Sequence, residues 1–202
     1  MKKSVVVRLC IVIGVLALSG CSEREAEVRD QRSGASGVEW TLHRDLARGF
    51  SVGVPVTWHR ATEAMSRLAD PREVVSLGTM TMSWRPTDCE AFAGAAGGSM
   101  STRDVVITIW ERGYDERAHW KDFPARPERF GPVADAEPAG DGCGEPPGTL
   151  NHWRNFTDAG RHFHTLVRIG PEVPPGAVDE AWGILDSLRF DADYRPEWTS
   201  SG

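Results

Sequence analysis

The chain has 202 residues, with 29 acidic side chains against 23 basic ones, a net charge of −6 and a sequence pI near 5.5. That balance excludes a nucleic-acid partner, because holding a phosphate backbone takes clustered cations that an acidic surface lacks. Of the four cysteines, only Cys89 and Cys143 fall in the folded part, too few and too widely spaced for a zinc framework, and neither sits in a C-x-x-C pair.

Met1-Lys2-Lys3 and Arg8 make a short basic start, and Leu9 to Leu18 follows as an unbroken apolar run of ten residues. Such a run is too short to cross a bilayer core of ~30 Å as a helix and has the length of an export signal. It ends in Leu18-Ser19-Gly20-Cys21. This ending resembles the lipobox of bacterial lipoproteins. The resemblance implies that residues 1–20 are removed and that Cys21 carries a diacylglycerol and an N-acyl chain. It also places the protein at the cell membrane, lipid-anchored on the extracytoplasmic face. No twin arginine precedes the run, so the general secretory route is expected. The leader holds three cations and no acid, which leaves 20 basic against 29 acidic residues and a mature net charge of −9. Membrane contact is therefore expected through the lipid rather than through the fold. Only three lysines occur against 20 arginines, the bias of a GC-rich bacterial genome.

Residues 21–37 contain Ala26 and Val28 but no large apolar side chain, and read as a flexible polar tether, with Glu23–Gln31 compatible with a helix and Ser33–Gly37 flexible. From residue 38 to 202 apolar and aromatic residues recur, all eight tryptophans among them, in a length that suits one domain. Within it Gly49 to Val54 alternates and stops at Pro55, which predicts a strand and a turn into Trp58. Val74 to Met82 predicts a second strand. Thr87 or Asp88 can cap a short helix through Cys89–Ala93, ended by Gly97-Gly98. Asp104 to Glu111 is apolar on both faces and predicts a central strand. Residues 123–148 are rich in proline and glycine and irregular. Leu150–Phe156 and Arg161–Ile169 predict a hairpin around Thr157–Gly160. Ala177 to Leu188 predicts an amphipathic helix with Val178, Ala181, Trp182, Leu185 and Leu188 on one stripe. Once Cys10 leaves with the leader and Cys21 is acylated, Cys89 and Cys143 remain. In an oxidising compartment they are expected to form a disulfide that pins the irregular segment.

Gly49-Phe50-Ser51-Val52-x-Val54-Pro55-x-x-Trp58 resembles the opening strand and turn of the PsbP/Mog1-like superfamily, and Ile184 to Phe190 resembles its ending. Phe123-Pro124-x-Arg126-Pro127-x-x-Phe130 and Asp158-x-Gly160-Arg161-x-Phe163 are similar to segments of uncharacterised lipoproteins. The resemblance covers most of residues 45–191. It implies an α+β fold, a twisted, mainly antiparallel sheet flanked by helices, and it implies no single activity.

The catalytic signatures are missing: no G-x-S-x-G, no H-E-x-x-H, no phosphate-binding glycine loop. No catalytic, cofactor-binding or metal-ligating set is therefore assigned. The carboxylates Asp70, Glu73, Asp104, Glu111, Asp115 and Glu116 read as a solvated acidic surface. Strand alternation puts His162 and His164 on one face, while His152 joins either face according to register; together the three are the nearest approach to a zinc or copper site. Trp120, Phe123, Arg126 and Phe130 are the candidate partner contacts, being carried on a loop. These features favour a non-enzymatic binding or assembly protein of the cell envelope, monomeric, with an envelope protein as its partner. An envelope enzyme, hydrolase-like and built from Asp, Glu or His, is the alternative. A carrier with an apolar cavity would count as binding.

Overall fold

The computed structural model describes residues 32–33, 37–84, 100–113, 122–139 and 145–194. Its ten strands are β1 (Arg32–Ser33), β2 (Glu39–Asp45), β3 (Phe50–Pro55), β4 (His59–Arg60), β5 (Arg72–Gly78), β6 (Val105–Arg112), β7 (Glu137–Pro138), β8 (Leu150–Asp158), β9 (Arg161–Ile169) and β10 (Arg189–Phe190). The helix α1 (Pro175–Ser187) lies between β9 and β10. Strands β4-β5-β6-β9-β8-β7 form an antiparallel six-stranded sheet, and β1-β2-β3-β10 form a smaller antiparallel one. The fold is α+β and poor in helix; among the described residues α1 is the only helix.

Strand β6 lies between β5 and β9 and is buried on both faces, as its unbroken apolar run predicts. One face of the large sheet carries Ile107, Ile109, Phe163 and Val167. These pack in one core with Phe50, Val52 and Val54 of β3 and with Trp182, Leu185 and Leu188 of α1. The helix fills the same layer as the small sheet. Beyond residue 51, β3 has no strand partner on that side among the described residues, and there the Gly53 N–H donates to the Ser187 hydroxyl at 2.8 Å. Trp40 reaches from β2 across Gly53 to Gly183, at both of which a Cβ would crowd its ring.

Among the described residues no second sheet covers the opposite face of the large sheet. Val106, Trp110 and Leu166 are covered there by Met65, Met82 and Met100 from irregular chain, and Trp110 stacks on Trp153 with centroids 6.0 Å apart. The strand predicted over Val74–Met82 starts two residues earlier and stops at Gly78, so Met80 and Met82 leave the sheet and join this cover. The expectation of helices on the sheet's faces is thus met on one face by α1. The short helix expected at Cys89–Ala93 lies outside the described residues, as do the leader, Cys21 and Cys143. Part of the tether is ordered into a strand: Arg32 and Ser33 pair with Trp40 and Glu39.

Candidate functional site

The β8–β9 hairpin is tighter than its sequence suggests. Only Ala159 and Gly160 intervene, at φ of 51° and 70°, and positive φ at both positions is what a two-residue turn needs to match the strands' twist. The turn sets Asp158 opposite Arg161, Thr157 opposite His162 and His152 opposite Val167. It thereby separates the histidines. His152 falls on the core face, edge-on to Trp182 at 5.5 Å, with its Nδ1 accepting the Val133 N–H at 3.2 Å. Burial, and then the neighbouring Arg154 charge, lower its pKa. It is a neutral core residue.

His162 and His164 emerge together on the other face. The Nε2 of His164 accepts from Arg112 Nε at 2.8 Å, which assigns the proton to Nδ1, where it is donated to Asn155 Oδ1 at 2.6 Å. Arg112 also lies 3.7 Å from Asp70. The His162 Nδ1 lies 3.1 Å from the Thr157 hydroxyl, and burial lowers its pKa. Phe123 stands edge-on to both rings, at 4.9 Å from His164 and 6.3 Å from His162. It is half-buried and belongs to neither core cluster. Among the described residues no three His, Cys, Asp or Glu side chains are grouped to hold a metal ion.

The segment carrying Phe123 crosses the edge of β8. Ala125 bridges Thr157 in parallel, with Arg126 N–H donating to Thr157 O and Thr157 N–H to Pro124 O at 3.0 and 2.7 Å. Phe123 therefore sits on one face of the hairpin, and Phe130 on the other, buried against Phe156 at 5.4 Å. This corrects two of the expected contact residues. Phe130 is core. Arg126 points inward, pairing with Asp158 at 3.0 Å and donating to the carbonyls of Leu185, Asp186 and Leu188, the last turn of α1. A cation is favourable at a helix C-terminus, where carbonyls lack partners. Asp186 in turn accepts the Phe130 N–H at 2.7 Å. Among the described candidate contacts, Phe123 is the one that is half-buried yet outside both core clusters and without a side-chain hydrogen bond to the fold's interior; Trp120 lies outside the described residues.

Arg161 behaves likewise. Its guanidinium pairs with both oxygens of Glu111 at 2.7 and 2.9 Å and donates to Gly49 O and Arg48 O at 2.9 and 3.0 Å. It lies over the rings of Phe163, Phe190 and Tyr194. Arg72 reaches Glu111 from the rim at 3.1 Å. This clamp ties the large sheet to the β2–β3 turn. Gly49, at φ 60°, has no room for a Cβ beside Tyr194.

Two carboxylates expected on the surface are thus interior. Glu111 is one. Glu73 is the other, seated at a β-bulge of β5. Its oxygens accept from Ser66 N–H and the Ser76 hydroxyl, both at 2.7 Å, while Trp110 Nε1 donates to the Ser66 hydroxyl at 3.1 Å. Desolvation raises its pKa against the pull of these hydrogen bonds. A polar cleft of about 70 Å³ opens beside it, lined by Arg48, Arg60 and Glu63 among others. Their positions in sequence carried a signal: each adjoins a buried apolar run, Glu111 ending that of β6 and Glu73 opening that of β5.

No family model matches the chain, and no curated protein matches it either. No helix of the described residues is long and apolar enough to cross a membrane.

Proposed function

We propose that this chain is an extracytoplasmic lipoprotein, anchored at the cell membrane by acylated Cys21, whose PsbP/Mog1-like domain binds or assembles with another envelope protein. Its partner surface is the end of the β8–β9 hairpin. The observation that supports this most is Phe123, a half-buried aromatic outside both core clusters, set on two histidines that a rigid hairpin holds in place. Aromatic side chains backed by a rigid scaffold are the usual anchors of interfaces. Replacing Phe123 with alanine is expected to abolish partner capture from native membranes while costing no more than about 1 kcal/mol of stability. Undiminished capture by that variant would refute the assignment of the surface. The anchor is tested separately. Cys21→Ser is expected to release the protein from the membrane fraction or leave its precursor unprocessed, and unchanged lipid labelling of that variant would refute it.

A hydrolase-like enzyme has one observation in its favour, Glu73 with its raised pKa beside a polar cleft. Both of its oxygens, however, are committed to Ser66 and Ser76, so the carboxyl is better placed to hold the 61–70 segment than to exchange a proton with a substrate.

A further inference from the structure

The turn between β2 and β3 is held by three side chains and still presents a bare leucine. Asp45 Oδ1 accepts the Arg48 N–H at 2.9 Å, the Tyr194 hydroxyl donates to Ala47 O at 2.9 Å, and Arg161 reaches the carbonyls of Arg48 and Gly49. Leu46 is nevertheless 88% exposed, more than any other large apolar side chain among the described residues. A single exposed leucine is ordinary; its surroundings are less so. Arg44 and Arg189 both pair opposite Ser51, one from each side, so the three share the face of the small sheet turned away from the core. The carbonyls of Asp186 and Leu188 hold Arg189 in place. With Leu46 and Phe190 these residues line a depression of about 220 Å³. Of the two carboxylates at its rim, Asp45 is paired with Arg48, and Asp191 accepts the Asp193 N–H.

We propose that this end of the molecule rests on the bilayer: Leu46 enters the boundary between headgroups and acyl chains, and Arg44 and Arg189 take the phosphate of an anionic phospholipid in the depression beside it. The place of the anchor rests on the lipoprotein reading. β1 pairs Arg32 with Trp40 and Ser33 with Glu39, so its N-terminal end points along β2 toward Leu46. Cys21 precedes Arg32 by eleven residues, a reach of at most roughly 38 Å. Leu46 lies six residues beyond Trp40, about 20 Å along the strand. A lipid on Cys21 can therefore sit in the membrane while Leu46 touches it. The chain's net negative charge opposes adhesion of its whole surface. Attraction to anionic headgroups falls off within a Debye length, however, so two arginines at the contact act locally. Arg161 also ties this turn to the tip of the β8–β9 hairpin, and a partner at Phe123 is thereby met at the membrane surface.

The test uses the full chain purified from membranes and mixed into vesicles of phosphatidylglycerol and phosphatidylethanolamine, with a photo-crosslinker in place of Leu46 or of Leu150. Leu150 is the control, an exposed apolar residue at the end of β8 away from the hairpin's turn. Phospholipid adducts at 46 are expected to exceed those at 150 by about tenfold. Arg44→Gln combined with Arg189→Gln should lower the yield at 46 by at least about fivefold. Arg44→Gln alone should lower it too, which keeps the test sound should the change at Arg189 loosen the end of α1. Equal lipid adducts at 46 and 150, adducts at 46 only to a second copy of the chain, or a yield indifferent to Arg44 would each overturn the proposal. Intact mass of the same sample judges the lipid on Cys21 separately. A missing acyl increment would refute the anchor, and lipid adducts at 46 would still decide whether this end docks.

Discussion

Two arginines and two histidines stand at the same end of the β8–β9 hairpin, and the fold uses them in opposite ways. Arg161 and Arg126 turn inward and fill their donors with carboxylates and main-chain carbonyls. His162 and His164 turn outward under Phe123, held by Thr157, Asn155 and Arg112 but only half-buried. The arginines are the residues a motif search singles out, and their conspicuous spacing reflects architecture. The less conspicuous pair is the one that the proposed function sets toward a partner.

The sharpest way to break this comparison is Arg161→Ala. Removing one member of a buried ion pair strands Glu111 without its bidentate partner, a loss of about 3–5 kcal/mol that denaturant unfolding would register. Arg161→Lys should recover little, because a point charge cannot serve both carboxylate oxygens and two carbonyls together. Next comes Arg126→Ala, which removes the ion pair to Asp158 and one donor from each of the last carbonyls of α1, where Arg189 and the Leu188 N–H still donate. A loss of roughly 1–2 kcal/mol is expected, again read by denaturant unfolding. A smaller loss than for His164→Ala would invert the assignment of roles.

Glu73 sharpens the contrast through pH. Its folded pKa lies above the ordinary 4.5, so the folded state holds the proton more tightly than the unfolded chain. Ionisation therefore opposes folding, by an amount absent below pH 4.5 and growing as pH rises through the raised value. Glu73→Gln removes that penalty. Its amide can donate to the Ser76 hydroxyl, which in turn faces Thr108 at 3.2 Å. The variant should melt at or above the parent's temperature at pH 8 and lose that advantage toward pH 4.5. His152 and His162, with lowered pKa values, act in the opposite sense: they favour folding above about pH 6.5, the ordinary histidine value, and cost stability as pH falls below it. The smallest effect on stability is expected for Phe123→Ala, within about 1 kcal/mol.

Periodicity made the core legible. β6 announced itself by an unbroken apolar run, and the stripe of α1 by its 3, 1, 3, 3 spacing; both are set by burial against a regular layer. What periodicity could not show were contacts made by backbone and polar atoms. The place of His152 depended on a two-residue turn, and a Thr-Asp-Ala-Gly sequence is compatible with more than one loop length. Strand β2 was missed because Glu39 to Asp45 has only Trp40 and Leu42 as large apolar residues and lies at an exposed edge. The interior places of Glu73 and Glu111 depend on partners distant in sequence, Ser66 and Arg161, and a carboxylate's own position does not name them. Phe123, Arg126 and Phe130 share one loop, which by itself suggests a single contact surface. The chain crossing the edge of β8 puts the first on one face and the third on the other.

Site-specific photo-crosslinking in intact membranes tests the central claim most directly, comparing a crosslinker at Phe123 with one at Leu150. Leu150 is the right control, since it is an exposed apolar residue, 41% accessible, at the far end of β8. The account predicts a discrete protein adduct from position 123 and none from position 150. No adduct at 123, or equal adducts at both positions, would contradict it.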